Sequence, residues 1–198
     1  MQTLVLASSN RGKLAEIQPL LADSGYTLVT QGELGVADAV EDGLSFVENA
    51  LIKARHACRA TGLPALADDS GLIVDALNGA PGLISAHYAG VHGDASGNTA
   101  RLLAELAEVP EPQRKARFYC LIVLLRHAED PQPLIAEGIW EGRILRAPRG
   151  SGGFGYDPVF FDPLRGAGAA ELPAEIKNRV SHRGQALARL RERLATLR

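Results

Sequence analysis

Two adjacent carboxylates, Asp68 and Asp69, are the residues of this chain that are best suited to hold a cation. Neighbouring carboxylates repel each other, so both stay ionised only when a cation lies near them or a proton is shared. Mg2+ prefers oxygen ligands, commonly one or two carboxylates with water and phosphate oxygens, and a carboxylate near it can serve as a base. Because Ser70 and Gly71 follow, the pattern predicts a tight turn between two strands, and a merely polar turn is the alternative.

The segment 8–13, with the sequence Ser-Ser-Asn-Arg-Gly-Lys, is the second candidate for chemistry. It joins a strand-like run at residues 4–7 to a helical pattern at residues 14–21. A turn that opens a helix presents backbone N–H groups and the positive end of the helix dipole to an anion such as phosphate. The segment lacks the spacing of a P-loop, because Gly12-Lys13 is followed by leucine. The alternative is an ordinary turn with a surface lysine.

A glycine-rich segment at residues 149–158 carries two aromatic side chains, Phe154 and Tyr156. Its glycines let the backbone approach a ligand closely, and aromatic rings in such a frame suit stacking on a nucleobase. The alternative is a turn whose rings pack into the core.

Further cationic side chains lie on two helices that the sequence predicts. Ser45 and Glu48 form a capping box, so a helix should begin there and end at Gly62, with Lys53 pointing either toward phosphates or into solvent. A last helix should begin after Ser181. His182 and Arg183 then oppose the dipole of its first turn, which indicates a purpose such as contact with a ligand.

The elements that must position these residues predict the fold class. Strands and helices alternate early in the chain, and a long hairpin follows over residues 117–127 and 133–145. We expect an α/β fold with a mixed, elongated central β-sheet flanked by helices. Residues 1–198 should form a single domain of two lobes with an active-site cleft between them.

Composition narrows the possible partners and the location. The chain has 198 residues, 46% of them hydrophobic, and a net charge of -2, which disfavours binding to nucleic acid or an acidic membrane. Cys58 and Cys120 are too far apart for a zinc spacing, and free thiols suit a reducing cytoplasm. The first residues do not resemble a signal peptide, and no apolar run approaches the roughly 20 residues that span a bilayer.

Taken together and in order, these motifs resemble the inosine triphosphate pyrophosphatase family, close to its bacterial branch and over nearly the whole chain. The motifs are Ser8-x-Asn10-x-x-Lys13, Ser45-Phe46-x-Glu48-Asn49-Ala50 with Lys53, Asp68 to Leu72, Gly153 to Pro158, and Ser181-His182-Arg183. Ser8 stands where threonine is common and keeps the hydroxyl. The resemblance implies a homodimer that hydrolyses dITP, ITP and XTP to the monophosphate and pyrophosphate with Mg2+.

The resemblance also implies a role for each site residue. Glu41 and Asp69 would bind Mg2+, Asp69 would also be the base for the attacking water, and Asp68 would lie close by as a second catalytic residue. The triphosphate would be held by Ser8, Ser9, Asn10, Arg11, Gly12, Lys13 and Lys53. The nucleoside would be bound by Ser70, Phe154, Gly155, Tyr156, Asp157, Lys177, His182 and Arg183.

Three other functions compete with this one. A related enzyme of the septum-inhibitor type, acting on modified pyrimidine triphosphates, would not need the aromatic loop. A regulatory module that binds nucleotides without catalysis would not need Asp68 and Asp69 together with Glu41. An RNA-binding module could use Phe154 and Tyr156 for stacking, but the net charge disfavours it.

Overall fold

The fold was analysed in a computed structural model that describes residues 2–21 and 25–195, apart from the side chains of Arg11 and Leu20. The strands are β1 (Gln2–Leu6), β2 (Tyr26–Thr30), β3 (Ala65–Val74), β4 (Lys115–Leu125), β5 (Leu134–Ile144), β6 (Phe160–Asp162) and β7 (Ala167–Gly168). The helices are α1 (Arg11–Leu20), α2 (Phe46–Thr61), α3 (Ala95–Glu105), α4 (Ala174–Val180) and α5 (His182–Ala195). None of these helices is long and apolar enough to cross a bilayer.

The strands form one open sheet in the order β2-β1-β3-β4-β5-β6-β7. β1 pairs in parallel with both β2 and β3, whereas β6 is antiparallel to β5 and β7. The parallel pairs are those connected through helices, and β4 and β5, which are consecutive in the chain, are neighbours in the sheet. The predicted α/β fold with a mixed sheet flanked by helices is confirmed.

The chain folds into two compact units, each with its own core. Unit 1 comprises residues 1–69, 120–138 and 182–198, and its core includes Leu4, Leu66, Ile122 and Leu187. β1, β3, β4, α1 and α5 each contribute at least one buried side chain to this core. Burial of the apolar stripes of α1 and α5 therefore holds together segments from both ends of the chain.

Unit 2 comprises residues 70–119 and 139–181. Its core contains a cluster of three aromatic rings, with the Phe160 centroid 4.5 Å from that of Phe118 and 5.0 Å from that of Trp140. The indole N–H of Trp140 donates to the buried Asp162 carboxylate at 2.9 Å, which satisfies both groups. Arg114, only 1% exposed, donates to backbone carbonyls that include Ile144 and Leu145.

The helix starts follow the capping rules that the sequence displays. The Asn10 side chain accepts the backbone N–H of Lys13 and so begins α1. At α2 the Ser45 hydroxyl accepts the N–H of Glu48, and the Glu48 carboxylate accepts the N–H of Leu44. α2 ends at Gly62, whose φ of 69° is the left-handed conformation that glycine adopts most readily.

The tight turn predicted at residues 68–71 is wrong. β3 runs unbroken from Ala65 to Val74, and Asp68 and Asp69 lie in its middle with exposed fractions of 0% and 8%. Successive side chains of a strand point to opposite faces, so the two carboxylates face different surroundings. Cationic side chains meet each of them, and this pairing allows two acidic residues to remain in a buried strand.

Candidate active site

The topology of unit 1 brings the two acidic residues next to the segment 8–13. β1 lies between β2 and β3, so the strand order reverses direction at β1: the chain leads from β1 to β2 on one side and then to β3 on the other. Ligands of open α/β sheets bind outside the carboxyl ends of strands at such a point. β1 leaves β3 just past the pair Leu6–Leu66, so Ser8 begins beside the part of β3 that leads to Asp68.

Asp68 is the centre of a buried group of charges. The Lys13 ammonium forms an ion pair with its carboxylate and donates to its backbone carbonyl at 3.1 Å. Arg183 Nε donates to Asp68 Oδ2 at 2.9 Å, and the Cys120 thiol lies 3.0 Å from the same oxygen. Burial by itself would raise the pKa of Asp68, but the charges of Arg183 and Lys13 outweigh it and hold that pKa well below its usual range.

Arg183 is fixed at the start of α5 by two carboxylates. It is 2% exposed, and besides Asp68 it forms an ion pair with Glu16 of α1. Burial would lower the pKa of the Arg183 guanidinium, but the charges of Asp68 and Glu16 raise it, so this arginine stays charged. The basic first turn of α5 therefore serves an ion-pair network inside unit 1. Sequence reasoning missed Glu16, although its position on α1 one turn after Lys13 was a signal.

A second group of charges surrounds Lys53. Its ammonium lies 2.6 Å from Asp69 Oδ1 and 2.9 Å from Glu41 Oε2. The Lys53 side chain is 11% exposed and contacts two carboxylates, so it does not point into solvent, and its predicted contact with phosphates stays a prediction. The segment that holds Glu41 is tied to α2, because the N–H of Gly43 donates to the Asn49 side chain at 2.9 Å.

Asp69 differs from Asp68 in its electrostatics. Burial raises the pKa of the Asp69 carboxyl, although the charges of Lys53 and Lys13 oppose that rise. Within residues 2–21 and 25–195 its only hydrogen bond is made through Oδ1 to Lys53, which leaves Oδ2 able to accept a proton. One carboxylate of the pair is thus locked in the ionised form, and the other suits proton transfer.

The residues around Lys53 fit a divalent cation. One oxygen of Glu41 and one of Asp69 converge on a single ammonium, so the pair is already arranged around a positive charge. Carboxylate oxygens are the ligands that hard divalent cations prefer. Asp68 does not belong to this pair, because Lys13 and Arg183 occupy both of its oxygens. The described residues contain no cluster of three or more His, Cys, Asp or Glu side chains around one point.

The segment 8–13 has the backbone geometry predicted for it. The hydroxyl of Ser8 accepts the N–H of Asn10 at 3.2 Å, and Ser9 donates to the Asp38 carboxylate at 2.9 Å. The first-turn N–H groups of Arg11 and Gly12 point out of the N-terminal end of α1, as in any helix. The Arg11 side chain lies outside the described residues, so its predicted contact with phosphate stays a prediction.

Unit 2 holds the glycine-rich loop in a fixed conformation. The Asp157 carboxylate accepts the N–H of Phe154 at 2.8 Å and an ion pair from Lys177 at 2.6 Å. The Lys177 ammonium also lies 5.1 Å from the centroid of the Phe154 ring, which is a cation–π distance. Gly153 has a φ of 73°, and a Cβ there would collide with the Asp157 carboxylate. Asp157 and Lys177 are both buried and hold the loop together.

The two aromatic rings of this loop have different environments. Phe154 is 38% exposed, and the Lys177 ammonium lies over its ring. Tyr156 is 5% exposed, packs in the core of unit 2 and donates its hydroxyl to the Ser85 carbonyl at 2.9 Å. Burial raises the pKa of this phenol. The structure therefore bears out the core-packing alternative for Tyr156, whereas stacking of Phe154 on a base stays a prediction.

The remaining predicted residues are divided between the units. His182 begins α5 in unit 1 and is 7% exposed, next to the buried Arg183. Ser70 is the first residue of unit 2 and is half-buried in β3. Gly155 has a φ of 61° and follows Phe154 in the loop.

An open mixed α/β sheet with helix-borne lysines at an acidic strand defines a class of proteins that bind phosphorylated ligands. A family model described as the Ham1 family matches residues 4–193. The chain is 64% identical over 196 residues to a dITP/XTP pyrophosphatase of Xylella fastidiosa, covering 99% of this chain and 98% of the relative. It is 56% identical over 194 residues to the dITP/XTP pyrophosphatase of Escherichia coli O157:H7, covering 98% of each.

Solved structures agree with this match. A HAM1 protein from Coxiella burnetii is 50% identical, with a TM-score of 0.92 and coverage of 99% of this chain and 100% of that one. A nucleoside-triphosphatase, also titled dITP/XTP pyrophosphatase, from Mycobacterium abscessus is 46% identical, with a TM-score of 0.77 and coverage of 95% and 98%. The chain belongs to the Ham1 family, and the family resemblance drawn from its motifs is confirmed.

Proposed function

We propose that this protein hydrolyses the non-standard purine nucleoside triphosphates dITP, ITP and XTP to the nucleoside monophosphate and pyrophosphate. This activity would remove them from the nucleotide pool before they enter DNA and RNA. The names of full-length relatives at up to 64% identity support the substrate class. The observation that carries the chemistry is the contrast between Asp68, whose two carboxylate oxygens are occupied by Lys13 and Arg183, and the neighbouring Asp69, which is bonded to Lys53 through Oδ1.

The phosphate chain is bound by the cations and amides around the end of β1. Lys13 lies on α1 close to the N–H groups of Arg11 and Gly12, and the Asp68 carboxylate fixes its ammonium. Ser8, Ser9 and Asn10 belong to the same segment and supply further polar contacts. Together with Lys53 these groups offset the charge that builds up on pyrophosphate as it departs.

Asp69 acts as the general base. It accepts a proton from water as the water oxygen bonds to the α-phosphorus, and the bond from that phosphorus to the bridging oxygen of the β-phosphate breaks. The products are the monophosphate and pyrophosphate, and the electron pair of the broken bond stays with pyrophosphate. Asp68 stays deprotonated throughout, because its low pKa makes it a poor proton acceptor. Its role is to position Lys13.

Glu41 and Asp69 would hold a divalent cation, for which we propose Mg2+. That cation, when bound, supplies positive charge to the phosphate oxygens at the reacting centre. Its requirement in this protein is a proposal that rests on the two converging carboxylate oxygens.

Recognition of the base is assigned to the loop of unit 2 and to residues near α5. Phe154 stacks on the purine, and Gly155 and Asp157 shape the loop around it. Hypoxanthine and xanthine carry an oxygen at C6 where adenine carries an amino group, so a donor such as Lys177 favours the 6-oxo bases. Ser70, Tyr156, His182 and Arg183 complete the set that the family resemblance implies. The contacts of Tyr156 with Ser85 and of Arg183 with Asp68 and Glu16 favour supporting roles for those two.

The test is a panel of ITP, XTP, dITP, GTP and ATP with Mg2+, in which pyrophosphate and phosphate are measured separately. We expect pyrophosphate from the 6-oxo substrates, no early phosphate, and no turnover after chelation of the cation. Inorganic phosphate as the first product would contradict attack at the α-phosphorus. ATP turnover within about tenfold of ITP turnover would contradict recognition of the C6 oxygen.

We also propose a cytoplasmic homodimer. The family resemblance supports the dimer, and the two buried thiols of Cys58 and Cys120, neither of which forms a disulfide, support a reducing location. Light scattering of the purified protein measures the mass of the assembly, and cell fractionation with a specific antibody measures the location.

A further inference from the structure

The Lys53 ammonium occupies the position that the proposed function gives to a divalent cation. It contacts Asp69 Oδ1 at 2.6 Å and Glu41 Oε2 at 2.9 Å, so the distance between the two carboxylate oxygens cannot exceed the sum of these two distances. Without a positive charge between them, the two carboxylates would repel each other. Lys53 therefore keeps the acidic pair together in the protein without metal.

This ammonium balances only one of the two negative charges that it contacts. A divalent cation bound to the same two oxygens balances both negative charges. The cation and the Lys53 ammonium cannot both occupy the space that contacts these two oxygens. The Lys53 side chain is 11% exposed, and burial of its charge is unfavourable unless an anion lies nearby. An ammonium that leaves Glu41 and Asp69 thus needs another anionic partner close to α2.

We propose that Lys53 and the divalent cation compete for Glu41 and Asp69, so that the arriving cation releases Lys53 to the phosphate chain of the substrate. The inference rests on the proposed function, because it uses the same pair of carboxylates and the same class of ligand. Its consequence is a coupling between the two ligands. Metal binding frees an ammonium that the polyphosphate needs, and polyphosphate draws the ammonium away from the metal site, so each ligand favours the other.

Removal of Lys53 tests the competition directly. We expect Lys53→Met to bind Mn2+ about tenfold or more tightly than the wild type in the absence of nucleotide, since a contacting charge changes carboxylate affinities by that order. Binding is measured by the loss of the electron paramagnetic resonance signal of free Mn2+, which does not depend on activity. Far-ultraviolet circular dichroism and the midpoint of thermal unfolding show that the variant remains folded.

Lys13→Met is the matched control, because it removes the same charge from a neighbouring position. The charge of Lys13 also acts on the Asp69 carboxyl, but its ion pair is made with Asp68. A general loss of positive charge would raise Mn2+ affinity equally in both variants. Competition predicts that Lys13→Met changes the affinity by about threefold or less, since charges that are not in contact are screened.

A second measurement uses the wild-type protein and needs no variant. Reductive methylation followed by peptide mass spectrometry reports how readily each lysine reacts. Lys53 should react slowly without metal and at least about threefold faster when Mn2+ saturates the protein, because an amine enclosed between two carboxylates is less accessible to the reagent than one released from them. Lys115, exposed at the start of β4, is the internal reference and should not change.

The outcomes separate this inference from the proposed function. If the wild type releases no pyrophosphate from ITP or XTP, the proposed function fails. If it is active, but Lys53→Met binds Mn2+ no more tightly than the wild type and the reactivity of Lys53 does not respond to Mn2+, the competition is overturned. Equal gains in Mn2+ affinity for Lys53→Met and Lys13→Met would overturn it as well.

Discussion

Replacement of Asp68 by asparagine should lower the free energy of unfolding by about 3–5 kcal/mol, because it removes one partner from a buried ion-pair network. Asp68 is fully buried, and Lys13, Arg183 and Cys120 all contact its carboxylate. An asparagine side chain has one oxygen where the carboxylate has two. The oxygen can face only one of the two cations, the Lys13 ammonium or the Arg183 guanidinium. The amide hydrogens would therefore face the other cation.

The size of the effect follows from what remains charged. In the variant, Arg183 keeps its ion pair with Glu16, but Lys13 loses the ion pair that it makes with Asp68. The cost of leaving the half-buried Lys13 ammonium partly unpaired beside a buried site dominates the balance, and the neutral side chain gains little in return. Urea denaturation at pH 7, followed by circular dichroism, measures the change in unfolding free energy.

Asp75→Asn is the matched control for this substitution. Asp75 makes one ion pair with Arg117 at 2.8 Å, and its side chain is 52% exposed. The same chemical change at this exposed pair should cost about 1 kcal/mol or less. If Asp68→Asn is no more destabilising than Asp75→Asn, the buried network around Asp68 contributes no more to stability than an exposed ion pair.

The same network predicts how stability depends on pH. The pKa of Asp68 is lowered in the folded protein, so its contribution is fully present above its unfolded pKa of about 4. That contribution is lost as pH falls through the lower folded pKa, since the folded state must then take up the proton. The stability difference between wild type and Asp68→Asn should thus shrink as pH falls below about 4. A difference that stays constant down to the acid transition would refute the assignment.

Four further outcomes are expected. Asp69→Asn should lower kcat for ITP by about 100-fold or more in a pyrophosphate-release assay, because an amide cannot act as a base, and a variant with half the wild-type kcat would exclude that role. The wild-type kcat should fall as acid protonates Asp69, whose pKa burial raises, and a pH–rate profile measures this. Phe154→Ala should raise KM for ITP and leave the ratio of kcat/KM for ITP and ATP nearly unchanged, because stacking tolerates any purine. Tyr156→Phe should lower the unfolding free energy by about 1 kcal/mol in urea, because the buried Ser85 carbonyl loses its donor.

The sequence predicted the elements that depend on local signals. The caps at Asn10 and Ser45 and the end of α2 at Gly62 lie where residue preferences place them. The inward orientation of Lys53 was one of two alternatives, and only the tertiary contact with Asp69 decides between them. Assignment of residues 1–198 to a single domain stays a prediction, since the chain divides into two compact units.

The errors have a common physical cause. The sequence predicted a turn at Asp68 and Asp69 because acidic residues seldom occur in a buried strand. In the structure, their charges are compensated by other segments of the chain, through Lys13, Lys53 and Arg183. Cys120 of β4 is another distant partner, because its buried thiol lies against the Asp68 carboxylate. Pairings between positions more than a hundred residues apart leave no periodic signal in the sequence.

The three-segment composition of unit 1 has a consequence for the protein during its synthesis. Arg183 pairs with Asp68, which lies 115 positions earlier in the chain, and with Glu16, which lies 167 positions earlier. The core of this unit also takes Leu187 and Leu190 from α5. A nascent chain therefore cannot complete unit 1 until α5 has left the ribosome. Until then β1 to β3 lack Arg183 and the apolar side chains of α5, although Lys13 and Lys53 are already present to pair with Asp68 and Asp69. The same arrangement means that a premature stop codon before α5 removes Arg183, one of the two cationic partners of Asp68, so cellular quality control would meet an unfinished first unit, not a shortened but stable one.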